Sequence, residues 1–298
     1  MRQGGGLTMV QAIEVRNVTK TYGSGRGTIT AVRDVSFALG RGESLGIIGE
    51  SGSGKSTLSR LIMGLEQPDS GEIALFGTPL VERGRRSRKR RIERAKQIQI
   101  VFQDPLLALD PRQSPAESLE EILRMHGVGD RELRRRRSAE VFERVGLGAR
   151  EIRTIPRFLS GGQRQRVAIA RALCLDPEVL ILDEAVAALD VSIQAQIMNL
   201  LVEIRESLGI AYLFITHDLA VVPYLAERLV VMRQGRIVES GPTSHVLTQP
   251  QHVYTRLLLE SVPSREWDLA RVRELRAEAA RSRQDDDRTH AEKEKEEP

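Results

Sequence analysis

The chain has 298 residues, 40% hydrophobic and 29% charged, enough for one large or two modest folded domains with a core that needs no staples. Its one cysteine, Cys174, excludes a disulfide framework, a cysteine zinc site and a protein-held iron–sulfur cluster. The 45 basic and 41 acidic residues nearly cancel, to +4, and aromatic residues are only 4%. Nucleic acid is therefore not expected as a partner, because there are few rings for stacking on unpaired bases. No run approaches the ~18–20 apolar residues of a membrane span, and residues 1–10 lack a signal-peptide core. The expectation is a protein that stays in the cytosol unless another subunit holds it at a membrane.

Short strand-like and helix-like patterns alternate, which predicts an α/β fold. Residues 13–18 and 32–39 alternate as strands, with glycines 23–27 between them. A buried strand over 43–48 runs straight into a glycine loop, and a helix over 55–65 follows, stopped near Pro68. Further apolar strands are predicted over 72–76, 98–102, 179–182 and 211–215. The last two are continuous apolar runs, as central parallel strands covered on both faces require. Between 103 and 160 the chain is charged, proline-punctuated and helical, which predicts an insertion riding on the sheet. Residues 229–232 and 236–239 flank Arg233-Gln234-Gly235 as a late hairpin. A helix is predicted over 266–281, and the charged run 285–297 has the composition of a disordered tail.

Gly49-Glu50-Ser51-Gly52-Ser53-Gly54-Lys55-Ser56-Thr57 carries the G-x-x-x-x-G-K-[ST] pattern between that strand and that helix. Glycines let the backbone curl so that its N–H groups converge on phosphate oxygens, and the helix adds the positive end of its dipole. Lys55 would place a mobile charge on the β- and γ-phosphates, and the Ser56 hydroxyl would ligate Mg²⁺. The apolar run 179–182 delivers Asp183 to the carboxyl end of a strand, where ligands bind in open α/β sheets. Asp183 would hold Mg²⁺ and Glu184 would polarise an attacking water as a general base. Taken alone, 179–184 also reads as a strand ending in an acidic helix cap.

Those two elements fix ATP or GTP and little more. Leu159-Ser160-Gly161-Gly162-Gln163 narrows the choice: with it, the sequence resembles the ATP-binding-cassette family over about 12–261. The resemblance implies a P-loop NTPase sheet core of ABC type with a helical subdomain insertion (about 104–165) and an antiparallel β part. It implies that Tyr22 stacks on adenine, that Gln103 senses Mg²⁺ and water and contacts membrane partners, and that His217 is a γ-phosphate switch. Ser160 to Gln163 then resemble the signature that reaches a γ-phosphate bound by a second subunit, and Ala188-Leu189-Asp190 the loop that crosses to it. Ser160 also reads as a helix N-cap, and Cys174 as a buried small apolar residue.

Within the family, Asp104 to Arg112, Asp190 to Ile197 and Pro250 to Leu258 are similar to peptide- and nickel-importer ATPases. Ala185-Val186-Ala187 follows Glu184, where Pro-Thr-Ser is commoner, so peptides and nickel or metallophore chelates both stay open as cargo. The implied assembly has a second ATPase subunit, identical or different, two transmembrane permease subunits and an extracytoplasmic binding protein, at the cytoplasmic face of the plasma membrane. A soluble, non-transport ABC ATPase is the alternative of another class. The expected limits are an ATPase domain over 9–264, with an importer-type extension over about 241–264, and a charged tail over 265–298. Two arginine-rich stretches, 83–96 and 134–137, read either as contacts to anionic headgroups or as solvated helical faces.

Overall fold

Runs of Val, Ile and Leu give this chain two sheets, seen in a computed structural model that describes residues 10–23, 25–80, 88–187, 189–262 and 270–281. In chain order the first elements are β1 (Ile13–Tyr22), β2 (Ile29–Leu39), β3 (Ser44–Ile48), α1 (Lys55–Ile62), β4 (Ser70–Leu75), β5 (Thr78–Pro79), α2 (Arg88–Gln97) and β6 (Ile98–Val101). The helical part is α3 (Pro115–Met125), α4 (Arg131–Arg144) and α5 (Gly161–Leu173). Then come β7 (Val179–Asp183), α6 (Val191–Leu208), β8 (Ala211–Thr216), α7 (Val222–Leu225), β9 (Arg228–Arg233), β10 (Arg236–Pro242), α8 (Thr243–Thr248) and α9 (Val253–Glu260). A further helix runs over 270–281. Residues 83–87, Ala188, the run 285–297 and the expected start at residue 9 lie outside the described residues.

The smaller sheet is antiparallel, in the order β2-β1-β4-β5, and the larger is ordered β10-β9-β3-β8-β7-β6. Within the larger sheet β9, β3, β8, β7 and β6 are mutually parallel, and only β10 runs against its neighbour. The alternation of β8 shows why its run is continuously apolar. Leu213 and Ile215 face a core shared with the antiparallel sheet and α1, whereas Tyr212 and Phe214 face a core shared with α5 and α6. Such a strand has no solvated face to spend a polar residue on.

The strands of the antiparallel sheet extend past their predicted limits, because β1 and β2 keep pairing out to Tyr22 and Ile29. Helix α1 ends at Ile62, three residues short of the prediction, and Gly64 leaves it with φ 64°. The hairpin between β9 and β10 turns through Gln234 (φ 48°) and Gly235 (φ 82°), the two-residue turn with two positive φ values that matches strand twist.

In the helical region Ser114 and Glu117 form a reciprocal capping box at the start of α3, and Asp130 caps α4. The arginines of 134–137 divide between two fates. Arg134 pairs with Glu120 and donates to the carbonyls of Val128 and Gly129, and Arg137 pairs with Asp176, while Arg135 and Arg136 are exposed. Two of the four arginines in that stretch therefore hold ion pairs within the chain.

The helix over 270–281 falls inside the helix expected over 266–281, and one of its faces packs inward. Val272, Leu275 and Ala279 are buried against a third core formed with Val231, Tyr254 and Leu257. Their spacing of three and four residues puts them on one helical face, which was hidden by a composition dominated by charge. No described helix is long and apolar enough to cross a membrane.

A candidate nucleotide site at the carboxyl ends of the parallel strands

Strands β3, β8, β7 and β6 are consecutive neighbours, so their carboxyl ends form one ledge. The Gly49–Gly54 loop leaves β3, Glu184 follows β7, His217 follows β8, and Gln103 comes two residues after β6. This is the edge at which ligands sit in open parallel sheets.

The loop is shaped by close approaches that only glycine allows. A Cβ on Gly49 would stand 2.2 Å from the carbonyl oxygen of Met232, and one on Gly54 2.2 Å from that of Ala31. Gly54 also has φ 102° where it opens α1. The hairpin turn holds the loop from the side: Gly235 N–H donates to Ser53 O at 2.9 Å, and Arg33 N–H donates to Gly235 O at 2.8 Å.

Lys55 is buried, and its ammonium donates to the carbonyls of Gly49 at 2.7 Å and Glu50 at 2.9 Å. Burial pushes its pKa below the ordinary lysine value, against the opposing pull of the Glu184, Asp183 and Glu50 carboxylates. Asp183 accepts from the Ser59 hydroxyl at 3.2 Å. Burial raises its pKa, the Ser59 bond opposes the rise, and the Glu184 charge adds to it. Ser56 is exposed on the first turn of α1. Glu184 adopts φ 52°, an uncommon backbone for a non-glycine residue, and its carboxylate lies 3.0 Å from His217 Nδ1. A cavity of about 360 Å³ is lined by Gly49, Glu50, Ser51, Glu184, His217, Leu219 and Leu258.

The remaining predicted residues are elsewhere. Tyr22, at the end of β1, is partly exposed, and its hydroxyl bonds Glu66. Gln103 is exposed. Ser160 caps α5 in a capping box with Gln163, whose amide donates to Ser160 Oγ at 3.2 Å. Asp190 caps α6 through Ile193 N–H at 3.0 Å. The signature turn and α6 are wedged together, since a Cβ on Gly162 would meet Ile193 Cγ2 at 2.7 Å. Neither Ser160 to Gln163 nor Asp190 lines the cavity beside Lys55. Helix α6 nevertheless touches the ledge, because Gln194 donates to Asp218 at 3.2 Å. Sequence reasoning missed Ser59, one turn after Lys55, and the hydroxyl of Tyr254, which accepts the Glu50 N–H at 3.0 Å from 204 residues away.

Fold and loop define a P-loop nucleotide-binding protein. The ABC transporter family profile matches residues 32–187, and that of the oligopeptide/dipeptide transporter C-terminal region matches 238–287. The chain belongs to the ABC transporter family. A Brucella abortus (strain 2308) protein assigned to peptide import as an ATP-binding protein is 48% identical over 239 residues, 80% of this chain and 71% of its own length. The oligopeptide transport ATP-binding protein OppF of Bacillus subtilis (strain 168) is 42% identical over 262 residues, 88% and 85% of the two chains. Among solved structures, the dimeric ATP-binding cassette MJ0796 with ADP and Pi superposes with a TM-score of 0.69 at 33% identity, covering 78% of this chain and 98% of that one. CbiO1 of Clostridium perfringens, part of the transporter complex cbiONQ, gives 0.71 at 31%, covering 85% and 96%. This chain is accordingly an ATPase component of an ABC transport system. Both of these sequence relatives carry names of ATP-binding proteins of peptide import or oligopeptide transport.

Proposed function

We propose that the chain hydrolyses ATP to drive uptake of oligopeptides or dipeptides. One observation carries the reading: the Gly49–Lys55 loop, Asp183, Glu184 and His217 converge at neighbouring strand ends in a chain that continues into a peptide-transporter C-terminal region.

In this reading the backbone N–H groups of the Ser51–Thr57 turn and the start of α1 receive the triphosphate. Lys55 exchanges the carbonyls of Gly49 and Glu50 for β- and γ-phosphate oxygens. Tyr22 supplies the face on which adenine stacks. The Ser56 hydroxyl and the Asp183 carboxylate would hold Mg²⁺, a hard cation that such oxygen donors suit. When bound, that ion neutralises triphosphate charge. Glu184 takes the proton of the attacking water, and His217 orients Glu184 and contacts the γ-phosphate. Gln103 lies at the ledge's outer end, beside the helical region.

The Ser160–Gln163 turn and Asp190 serve a second nucleotide, held by a second ATPase subunit, identical or different. Two such subunits gripping ATP between them favour the closed pair, because ATP makes contacts there that the open form lacks. Closing and reopening would drive two membrane permeases fed by an extracytoplasmic binding protein, with this chain peripheral on the cytoplasmic side of the plasma membrane. The test is reconstitution of the assembled complex in liposomes. Peptide-loaded binding protein is expected to stimulate phosphate release and peptide entry. Stimulation by a nickel chelate instead of peptide would overturn the assignment of cargo.

A further inference from the structure

Glu50 is held on both sides of its backbone. Its N–H donates to the Tyr254 hydroxyl at 3.0 Å, and its carbonyl accepts from the Lys55 ammonium at 2.9 Å. A shift of the Glu50 peptides therefore moves an acceptor of the same lysine that the site reading places on phosphate. Tyr254, on α9, is buried, and burial pushes its phenol up to about 12, so the hydroxyl keeps its proton at neutral pH.

The ring of Tyr254 is fixed in turn. The Arg233 guanidinium lies 4.9 Å from its centroid, within the range of a cation–π contact. The same guanidinium donates to the Ala279 carbonyl at 2.8 Å, which ties in the helix over 270–281. Ala279 and Leu257 close the apolar side of this cluster. Between this cluster and the outer face of Glu50–Ser53 lies a cavity of about 740 Å³ that includes Arg233, Tyr254 and Arg276 in its wall. The outer wall of the phosphate loop is thus built by residues 233 to 280, while its inner wall is the strand ledge.

We propose that Tyr254 is a positioning residue for the nucleotide loop, through which α9 and the helix over 270–281 set the affinity for ATP. The proposal rests on the reading of Gly49–Thr57 as the nucleotide site. It gives the C-terminal region a role in the ATPase itself: a partner that displaces the helix over 270–281 would reach Lys55 through Arg233, Tyr254 and Glu50.

The test uses the full chain and titration with a fluorescent ATP analogue, together with steady-state hydrolysis by the assembled complex. Tyr254→Phe keeps the ring and the Arg233 contact and deletes only the hydroxyl. Loss of one hydrogen bond predicts about fivefold weaker nucleotide binding. KM should rise by a similar factor with kcat within about twofold, and exchange of the Glu50 amide should quicken. Arg233→Gln, which leaves the hydroxyl in place, should move affinity in the same direction. Lys55→Ala is the reference: if it binds ATP as well as wild type, the site reading itself fails. If Lys55→Ala loses binding while Tyr254→Phe matches wild type in affinity, only the Tyr254 proposal is overturned. A lower Tm for Tyr254→Phe with unchanged affinity overturns it equally.

Discussion

His217 Nδ1 stands 3.0 Å from Oε1 of Glu184, and the Glu184 amide donates to Ile215 O at 2.8 Å. One strand end, that of β8, therefore fixes both the main chain and the side chain of Glu184. The left-handed φ of 52° at Glu184 is held by these bonds. Strain of this kind costs ~1–3 kcal/mol and persists only where the surroundings over-determine it.

With Glu184 as the general base, Glu184→Gln preserves the shape of the site and removes the proton acceptor. The expected outcome is retained ATP binding, a subunit pair trapped in the presence of ATP, and turnover reduced about 100-fold or more. Phosphate release and sizing in the presence of ATP measure both. Turnover at the wild-type rate would remove Glu184 from that role.

Gly162→Ala places a methyl 2.7 Å from Ile193 Cγ2. Overpacking of this size should destabilise the junction of α5 and α6 by about 1–3 kcal/mol, read by urea denaturation. In an Ile193→Ala background the clash has no partner, so the same substitution should cost much less. Equal cost in both backgrounds would locate the effect elsewhere.

Glu239 secures the approach to α9. Burial raises its pKa, but the backbone N–H groups of Gln251 and His252 donate to its carboxylate and help leave it below the ordinary value of 4.5. A carboxylate depressed in the folded state contributes stability in full above the unfolded pKa and loses it as pH falls through the folded one. Stability should therefore decline below about pH 4.5, and Glu239→Gln should flatten that part of the acid limb in chemical denaturation. An unchanged limb would exclude Glu239 from it.

Cys174 is buried, with its thiol pushed up to about 12 by burial. The thiolate is the reactive form, so at pH 8 iodoacetamide should modify the folded chain at least about a hundredfold more slowly than the guanidinium-unfolded chain, because reaction awaits local opening. Mass spectrometry of timed aliquots decides. Comparable rates would mean that the thiol is accessible.

The sheet core was legible because its signals are local. The continuous runs that became β7 and β8, the glycine loop after β3 and the turn at Gln234-Gly235 each announce their backbone within a few residues. Strand order left no such trace: nothing near Ile48 tells that β8 and β9 flank β3. The same holds at the site. Gly49–Ser56, Asp183 and Glu184 could be read from types and spacing, whereas the Ser59–Asp183 and Tyr254–Glu50 bonds join residues 124 and 204 positions apart. Residues 270–281 were expected as a helix, but the burial of one of its faces was not legible for a related reason. Three small or apolar positions, Val272, Leu275 and Ala279, carry the burial, and mean composition weighs them against the charged residues on the other faces.

The bond between Glu50 and Tyr254 also sets an order of events during synthesis. Domains emerge from the ribosome at about 5–20 residues per second, so the early glycine turn waits on the order of ten seconds or more for the tyrosine that completes its outer side. A nascent chain stalled before α9 would show the strands and α1 in place yet grip its triphosphate loosely, and tight capture would come only with the last elements to be made.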